Sequence, residues 1–264
     1  MSYNFKFAGF ALSEFYAVST KRPPIEVAEY DGTLTSIPGK SGDEFLDNKR
    51  YKNVPMTREV GFVDRLGATP ADLEKRFINW LAYVHGYQEF EDSDHPGMVT
   101  YAVLENFPEV QRELELIHKA RLKFSRVPYW YSKAGLTPIV FSSQAEAETG
   151  AVLNNPYPAD ACPLIDIKVT SAALASGAYL RLIVGGVTYS NTYNIYGVNS
   201  TRDHIIFDFE EKEIRAQSAD GSDVYYSAGT PSPPLPTGET TIQLGVSTSG
   251  SVDSMTIIPR WRCL

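Results

Sequence analysis

The sequence predicts a mostly β protein with one α-helix, in which a β-rich N-terminal half is followed by a C-terminal β-sandwich. Three observations carry that expectation. Short runs in which apolar and polar residues alternate recur along most of the 264 residues. Helical spacing of apolar residues is clear in one stretch, residues 69–86. Composition also shifts near residues 135–145: the first 140 residues carry 17 basic and 19 acidic side chains, the remainder only 7 and 13, with abundant Ser, Thr and Gly. With 43% hydrophobic residues the chain can bury one large core or two modest ones without staples. Gly135 and Pro138 punctuate the shift, so the expected domains are 1–138 and 139–264.

In the first half the helix is read from "TPADLEKRFINWLAYVHG". Thr69 is the expected N-cap and Pro70 the first helical residue. Leu73, Phe77, Trp80 or Leu81, and Val84 form the apolar stripe, and Gly86 is the stop. "EVGFVDRL", "VTYAVLENF" and "ELELIHKARLKFSRV" alternate as half-buried strands do, so the helix is expected to pack on a sheet. The second half offers "PLIDIKVT", "AYLRLIVGGVTYS", "HIIFDFEE", "EIRAQSA", "TTIQLGV" and "SMTIIPRW", short strands separated by turn residues, which is the pattern of a sandwich. "SAGTPSPPLPTGE" has too many prolines for a helix or an inner strand and reads as a rigid loop.

Several chemistries lose their support in the sequence. The formal charge is -8 and no run of like charges marks a nucleic-acid arm. Cys162 and Cys263 lie far apart, outside any zinc spacing, and are too few for a disulfide framework. The N-terminus lacks the apolar core of a signal peptide, and no stretch approaches the roughly 18 apolar residues of a membrane span, so a cytosolic start and no membrane partner are expected. His85, His95, His118 and His204 form no metal or triad pattern. No nucleophile elbow, P-loop or dinucleotide loop is present. Glu91, Asp92 and Asp94 lie close together but lack the glycine and distal glutamate of a calcium loop, and a turn closed by Asp94 and Pro96 is the plainer reading. No catalytic residue, cofactor or metal is therefore expected. Tyr179, Tyr189, Tyr193, Tyr196, Tyr225 and Tyr226 are suited to sugar stacking and equally to strand packing.

The stretch "IPGKSGDEFLDNKRYKNV", residues 37–54, is the most informative. Pro38-Gly39 and Ser41-Gly42 are turn chemistry, and Asp47-Asn48 reads as a second turn. Strand-like "TLTSI" precedes and "RYKNVPMTREVGFV" follows, so the element is a long hairpin or a pair of strands. No helix follows, which rules out a phosphate cradle. A projecting hairpin can add edge to edge to another chain, including a second copy. Pro38, Gly39, Asp47, Asn48, Arg50 and Tyr51 are the candidate interface residues on that logic.

Four stretches in order resemble the distal tail (Dit) proteins of long-tailed, non-contractile phages. They are the 37–54 segment; "FINWLAYVHGYQEFEDSDHPGMVTYAVL", similar to that family's helix ending in Trp-Leu and its Asp-x-Asp-x-Pro turn; "ARLKFSRVPYWYSKAG", similar to its strand into Pro-Tyr-x-Tyr; and the closing "IIPRWRCL". Lys49 departs from the pattern by standing where the family often has glycine. The resemblance implies a homohexameric hub at the tail tip of the virion, assembled in the host cytoplasm. It implies an N-terminal domain that closes into a ring, with a galectin-like sandwich facing outward. The implied partners are the tail tube protein, the tail-associated fibre or lysin protein, and peripheral receptor-binding or baseplate proteins. Phage DNA would only pass through the axial channel. The terminal strand, about 256–264, is a candidate to return to the first domain. A carbohydrate-binding adhesin is the alternative, and a cell-wall hydrolase the weaker rival.

Overall fold

The computed structural model describes all residues except 1–2, 64–66, 68, 114–116, 171–178, 192–197, 228–233 and 249. The chain divides into two compact units, Met1–Trp130 with Leu264, and Tyr131–Cys263.

The first unit begins with β1 (Phe5–Phe7), β2 (Phe10–Ala11), a 3-10 turn at Leu12–Phe15 and β3 (Ala17–Ser19). Residues 20–29 run without regular structure to β4 (Tyr30–Ser36), β5 (Asp43–Tyr51) and β6 (Val54–Val63). Helix α1 (Pro70–Ala82) precedes β7 (Gln88–Asp92), β8 (Met98–Glu113) and β9 (Ile117–Arg126). Antiparallel pairing orders the main sheet β2-β1-β7-β8-β9-β6-β3, whereas β4 and β5, among the described residues, pair only with each other.

Helix α1 forms for the reasons its sequence suggests. Thr69 is extended and its Oγ1 accepts from Asp72 N–H, with Pro70 in the first turn. Tightened bonds at Tyr83 and Val84 end the helix, so Gly86, at φ 69°, belongs to the following turn. Leu73, Phe77 and Leu81 are buried on one face. There they join an aromatic core: Phe77 meets Phe15 and Phe62 edge-on, while Phe7 meets Phe124 edge-on at 4.9 Å. Each such ring, once buried, contributes about 2 to 3 kcal/mol relative to exposure.

The chain passes into the second unit within β10 (Trp130–Ser132). It continues with β11 (Ile139–Phe141), α2 (Gln144–Thr149), β12 (Ala151–Asn155), β13 (Leu164–Val169), β14 (Leu180–Val184) and β15 (Val187–Asn191). Then follow β16 (His204–Asp208), β17 (Glu213–Gln217), β18 (Val224–Ser227), β19 (Gly238–Val246), β20 (Val252–Ile258) and β21 (Arg262–Cys263). Two antiparallel sheets result, β11-β20-β13-β16-β17-β18 and β12-β19-β14-β15. Ile165, Ile167, Phe207, Met255 and Ile257 from the first sheet share one core with Leu153, Leu182, Val184, Ile242 and Leu244 from the second, which makes the unit a sandwich. The mostly β expectation therefore holds. The short helix α2 is an addition: Ser143 caps it by accepting from Glu146 N–H, a signal present in "SSQAEAETG" but too brief for periodicity to reveal. Pro231 and Pro233 of the proline-rich loop lie outside the described residues.

Residues 260–263 are fastened within this second unit, while Leu264 groups with the first. Arg260, in the left-handed region at φ 55°, donates to both oxygens of Asp208 at 2.7 and 3.3 Å. Arg262 donates to Glu210 and to the Asp160 carbonyl, and Tyr131 hydroxyl donates to Glu210. Gly135 lies so close that a Cβ there would sit 2.5 Å from Trp261 N.

Two predictions come from these contacts. Gly135→Ala should cost about 2 kcal/mol by overpacking, whereas Gly245→Ala, whose Cβ would meet Arg181 Cβ only at 3.6 Å, should be neutral or stabilising. Urea unfolding of the two variants checks this, and equal losses would contradict it. The second concerns acid. Burial pushes the Asp208 carboxyl up, but hydrogen bonds from Arg260 and the backbone more than offset that and hold it below its ordinary value of 3.8. A lowered native pKa means that the unfolded chain binds the proton more readily. The stabilisation is therefore complete above the ordinary value and is lost as pH falls below it. Asp208→Asn should cost about 3 kcal/mol at neutral pH and flatten the acid limb of a stability-versus-pH curve; an unchanged limb would assign the acid sensitivity to other groups.

Candidate assembly surface

Strands β4 and β5 make the hairpin that the sequence singles out. Residues 37–42 turn between them, with Lys40 N–H bonded to Ile37 carbonyl and with Gly39 and Gly42 at φ 83° and 87°. Pro38 and Gly39 are therefore at the tip. Asp47 and Asn48 do not form the second turn that was expected. Both lie within β5, where the register against β4 shifts between Tyr30 and Gly32. The reason is local: Asp47 Oδ1 accepts from Lys49 N–H at 2.5 Å and Lys49 takes φ 53°, so turn chemistry yields a bulge instead of a reversal. Lys49 thus occupies a left-handed position of the kind that favours glycine.

The base of the hairpin is anchored. Tyr51 packs edge-on against Tyr30 at 5.1 Å and against Tyr129 at 6.0 Å. Arg50 Nε donates to Asp31 Oδ2 at 2.7 Å, and that bond is the main reason the Asp31 carboxyl is held below its ordinary range. The Tyr30 hydroxyl and Lys49 N–H lower that of Asp47 in the same way. The six candidate residues thus separate into a tip pair, Pro38 and Gly39, and a group along the lower half of β5. Sequence reasoning missed three partners. Asp31 receives Arg50. Tyr129 receives Tyr51. Gly32 leaves room for the Phe45 ring, whose Cζ would lie 2.0 Å from a Cβ.

Most residues of the hairpin are exposed, on both faces. Leu34 is 67% and Leu46 53% exposed, and Leu34 stands opposite Phe45 on one face while Leu46 stands opposite Thr33 on the other. A two-stranded ribbon exposed in this way is marginal alone in water. Its outer edges and apolar side chains are what strand addition uses.

Of the six tyrosines considered for sugar stacking, the three whose side chains are described lie on different sheets or faces. Tyr179 precedes β14 of the four-stranded sheet, while Tyr225 and Tyr226 lie in β18 of the six-stranded sheet and, as neighbours in a strand, point to opposite faces. Tyr193 and Tyr196, and the side chains of Tyr189 and His118, lie outside the described residues. His95 closes a turn whose capping residue is Asp92, not Asp94: Asp92 Oδ1 accepts from the backbone N–H of Asp94 and of His95. Among the described residues no group of three or more His, Cys, Asp or Glu is placed to hold a metal ion, and no helix is long and apolar enough to cross a membrane.

Gly32→Ala should displace Phe45 and lower amide-exchange protection across β4 and β5, while Lys49→Gly, which relieves about 1 kcal/mol of left-handed strain, should preserve or raise it. Unchanged protection in Gly32→Ala would sink the packing argument.

No family model matches the chain, and no curated protein matches it. Solved structures do. The chain is similar to the Dit (gp 19.1) protein of phage SPP1, a paradigm of the hub adsorption apparatus in phages infecting Gram-positive bacteria, at 14% identity over 100% of both chains with a TM-score of 0.61. It also matches a chain of the phage P2 baseplate in its activated conformation with Ca, at 10% identity over 98% of both chains and a TM-score of 0.48. The same baseplate with Sr gives 9%, 97% of both chains and 0.46. The match to SPP1 Dit spans both units, so from end to end this chain has a Dit-like, mostly β fold.

Proposed function

We propose that the chain is a structural subunit of a phage tail tip, a hub that self-assembles into a hexameric ring and joins the tail tube to the adsorption device. The full-length fold likeness to SPP1 Dit carries this reading. The exposed β4–β5 hairpin supports it, because a ribbon with unpaired outer edges and outward Leu34 and Leu46 is suited to strand addition by a second copy. Repeated head to tail, such a contact closes into a ring when its rotation divides a full turn.

On this reading the first unit is the ring-forming domain and the sandwich is the arm that docks peripheral receptor-binding or baseplate proteins, with the fibre or lysin protein on the distal side. The chain then acts by geometry and not by catalysis, and it works in the virion. Phage DNA passes through the axial channel without being held.

Light scattering of the purified full-length protein should give the mass of six chains, and negative-stain images should show six-fold rings. Leu34→Asp and Leu46→Asp should each shift the protein to monomer while altering unfolding stability by no more than about 0.5 kcal/mol, as exposed substitutions do. Rings that survive both substitutions would reject the hairpin as the contact. A wild-type protein that stays monomeric at every concentration would reject self-assembly.

A further inference from the structure

The β4–β5 hairpin is held to the body at one end only. Among the described residues, β4 and β5 pack extensively on each other and on no other strand or helix. Their lower end is tied down: Tyr51 meets Tyr30 and Tyr129 edge-on, Arg50 donates to Asp31, and Lys52 N–H bonds to the Glu29 carbonyl. Above that end, residues 33–46 have the β4–β5 ladder, an exposed Lys40–Glu44 contact at 3.5 Å and the turn bond from Lys40 N–H to Ile37 carbonyl. Leu34, Ile37, Phe45 and Leu46 are all exposed there. The register shift between Tyr30 and Gly32 also interrupts the ladder just below this stretch, so order at the base does not propagate upward through continuous pairing.

Among the described residues, one side chain of the stretch reaches the base. The Phe45 ring lies over Gly32, in the space that a Cβ would fill, and stacks on Tyr30 at 6.3 Å and 29°. Phe45 remains 51% exposed, so this contact recovers only part of what full burial of a phenylalanine contributes. A two-stranded ribbon is marginal at best in water, and segments with few buried apolar contacts open locally without unfolding the rest.

We propose that residues 33–46 open and re-close in the free subunit while the base stays formed, with Phe45 on Gly32 and Tyr30 as the latch, and that docking of a neighbouring copy captures the closed form. The identity of the captor rests on the hub reading; the opening does not. Only the closed fraction can dock, so the apparent affinity of the contact is its intrinsic affinity multiplied by that fraction. A free subunit therefore presents a fully formed strand edge for only part of the time, which limits pairing with wrong partners, and an assembled surface draws the closed form out.

Hydrogen exchange of the full-length protein, read by mass spectrometry with fragmentation below and above the assembly concentration, tests the opening. Below it, amides of 33–46 should exchange within about tenfold of an unstructured chain, while Lys52, bonded at the base, should be slower by at least about a hundredfold. Above it, the stretch should slow by at least about tenfold more. Phe45→Ala should remove the remaining protection of 33–46 and leave that of Lys52 unchanged. Thr35 and Glu44 stand opposite each other, so Thr35→Cys with Glu44→Cys supplies a staple that holds the ribbon closed when oxidised. The oxidised form should assemble at a concentration roughly two- to tenfold lower than the same protein reduced, the factor expected for a closed fraction between about a tenth and a half. Equal protection of 33–46 and Lys52 in the free subunit, or parental exchange in Phe45→Ala, overturns the latch. Rings that form at the same concentration with and without the staple overturn the gate and leave the hub reading standing. A protein that is monomeric at every concentration rejects the hub reading and the gate with it.

Discussion

Two arginines buried in the first unit, Arg58 and Arg126, decide where the chain runs between β3 and the hairpin. A buried charge is tolerated only when it is paired and hydrogen-bonded, and breaking such a pair costs about 3 to 5 kcal/mol. One residue of the irregular stretch 20–29 serves both: the Glu26 side chain takes Arg58 in a two-oxygen contact, and the Glu26 carbonyl accepts from Arg126 Nη2 at 3.1 Å. Arg58 also lies over the rings of Tyr3 and Phe90, and Arg126 over that of Trp130. Burial works against the Arg58 charge, yet the bonds it donates to Glu26 and the neighbouring Tyr3 hold its pKa above the ordinary value. A segment without secondary structure is thereby pinned at Glu26 by two buried arginines. Lys52 N–H then bonds to the Glu29 carbonyl, so the same pinned segment delivers the chain to the base of the hairpin.

The hairpin itself is stabilised unevenly. Its base has the three-tyrosine contact and the Arg50–Asp31 pair, while its upper half has pairing, an exposed Lys40–Glu44 contact and two left-handed glycines. Exposed ion pairs contribute about 0 to 1 kcal/mol, so the upper half has little to hold it beyond its own ladder. The base therefore sets direction, and the upper half gains most from a partner.

What was legible in the sequence follows the range of the forces involved. Helix α1 was readable because its cap, its first-turn proline and its apolar stripe all lie within one short window. The hairpin's existence was readable from Pro38-Gly39 and the flanking alternation. The bulge at Lys49 was not: Asp47 and Asn48 have the same local chemistry in a turn as in a bulge, and only the pairing with β4 decides between them. The Arg58–Glu26 and Arg126–Trp130 contacts were equally silent. Alternation puts Arg58 in phase with Met56 and Val60, and Arg126 in phase with Leu122 and Phe124, on the buried face, but the Arg58 counter-ion, supplied by an irregular segment, leaves no periodic trace. In the second unit the alternation of "LIDIKVT" and "HIIFDFEE" announced the strands, but nothing local announced that Asp208 would receive Arg260 from the far end of the chain.

The proposed ring places opposite demands on the two ends of the hairpin. A head-to-tail contact closes only if each step turns by the same correct angle, and a small error repeated around the axis gives an open helix instead. Angular accuracy has to come from the part of the element fixed to the body, and here that part is built on the edge-on contacts of Tyr51 with Tyr30 and Tyr129. Adaptation to a neighbour has to come from the tip, and there the backbone relies on Gly39 and Gly42, which cross conformational space at least cost. A design with the rigidity reversed, a stiff tip on a loose base, would bind a second copy equally well and still fail to close.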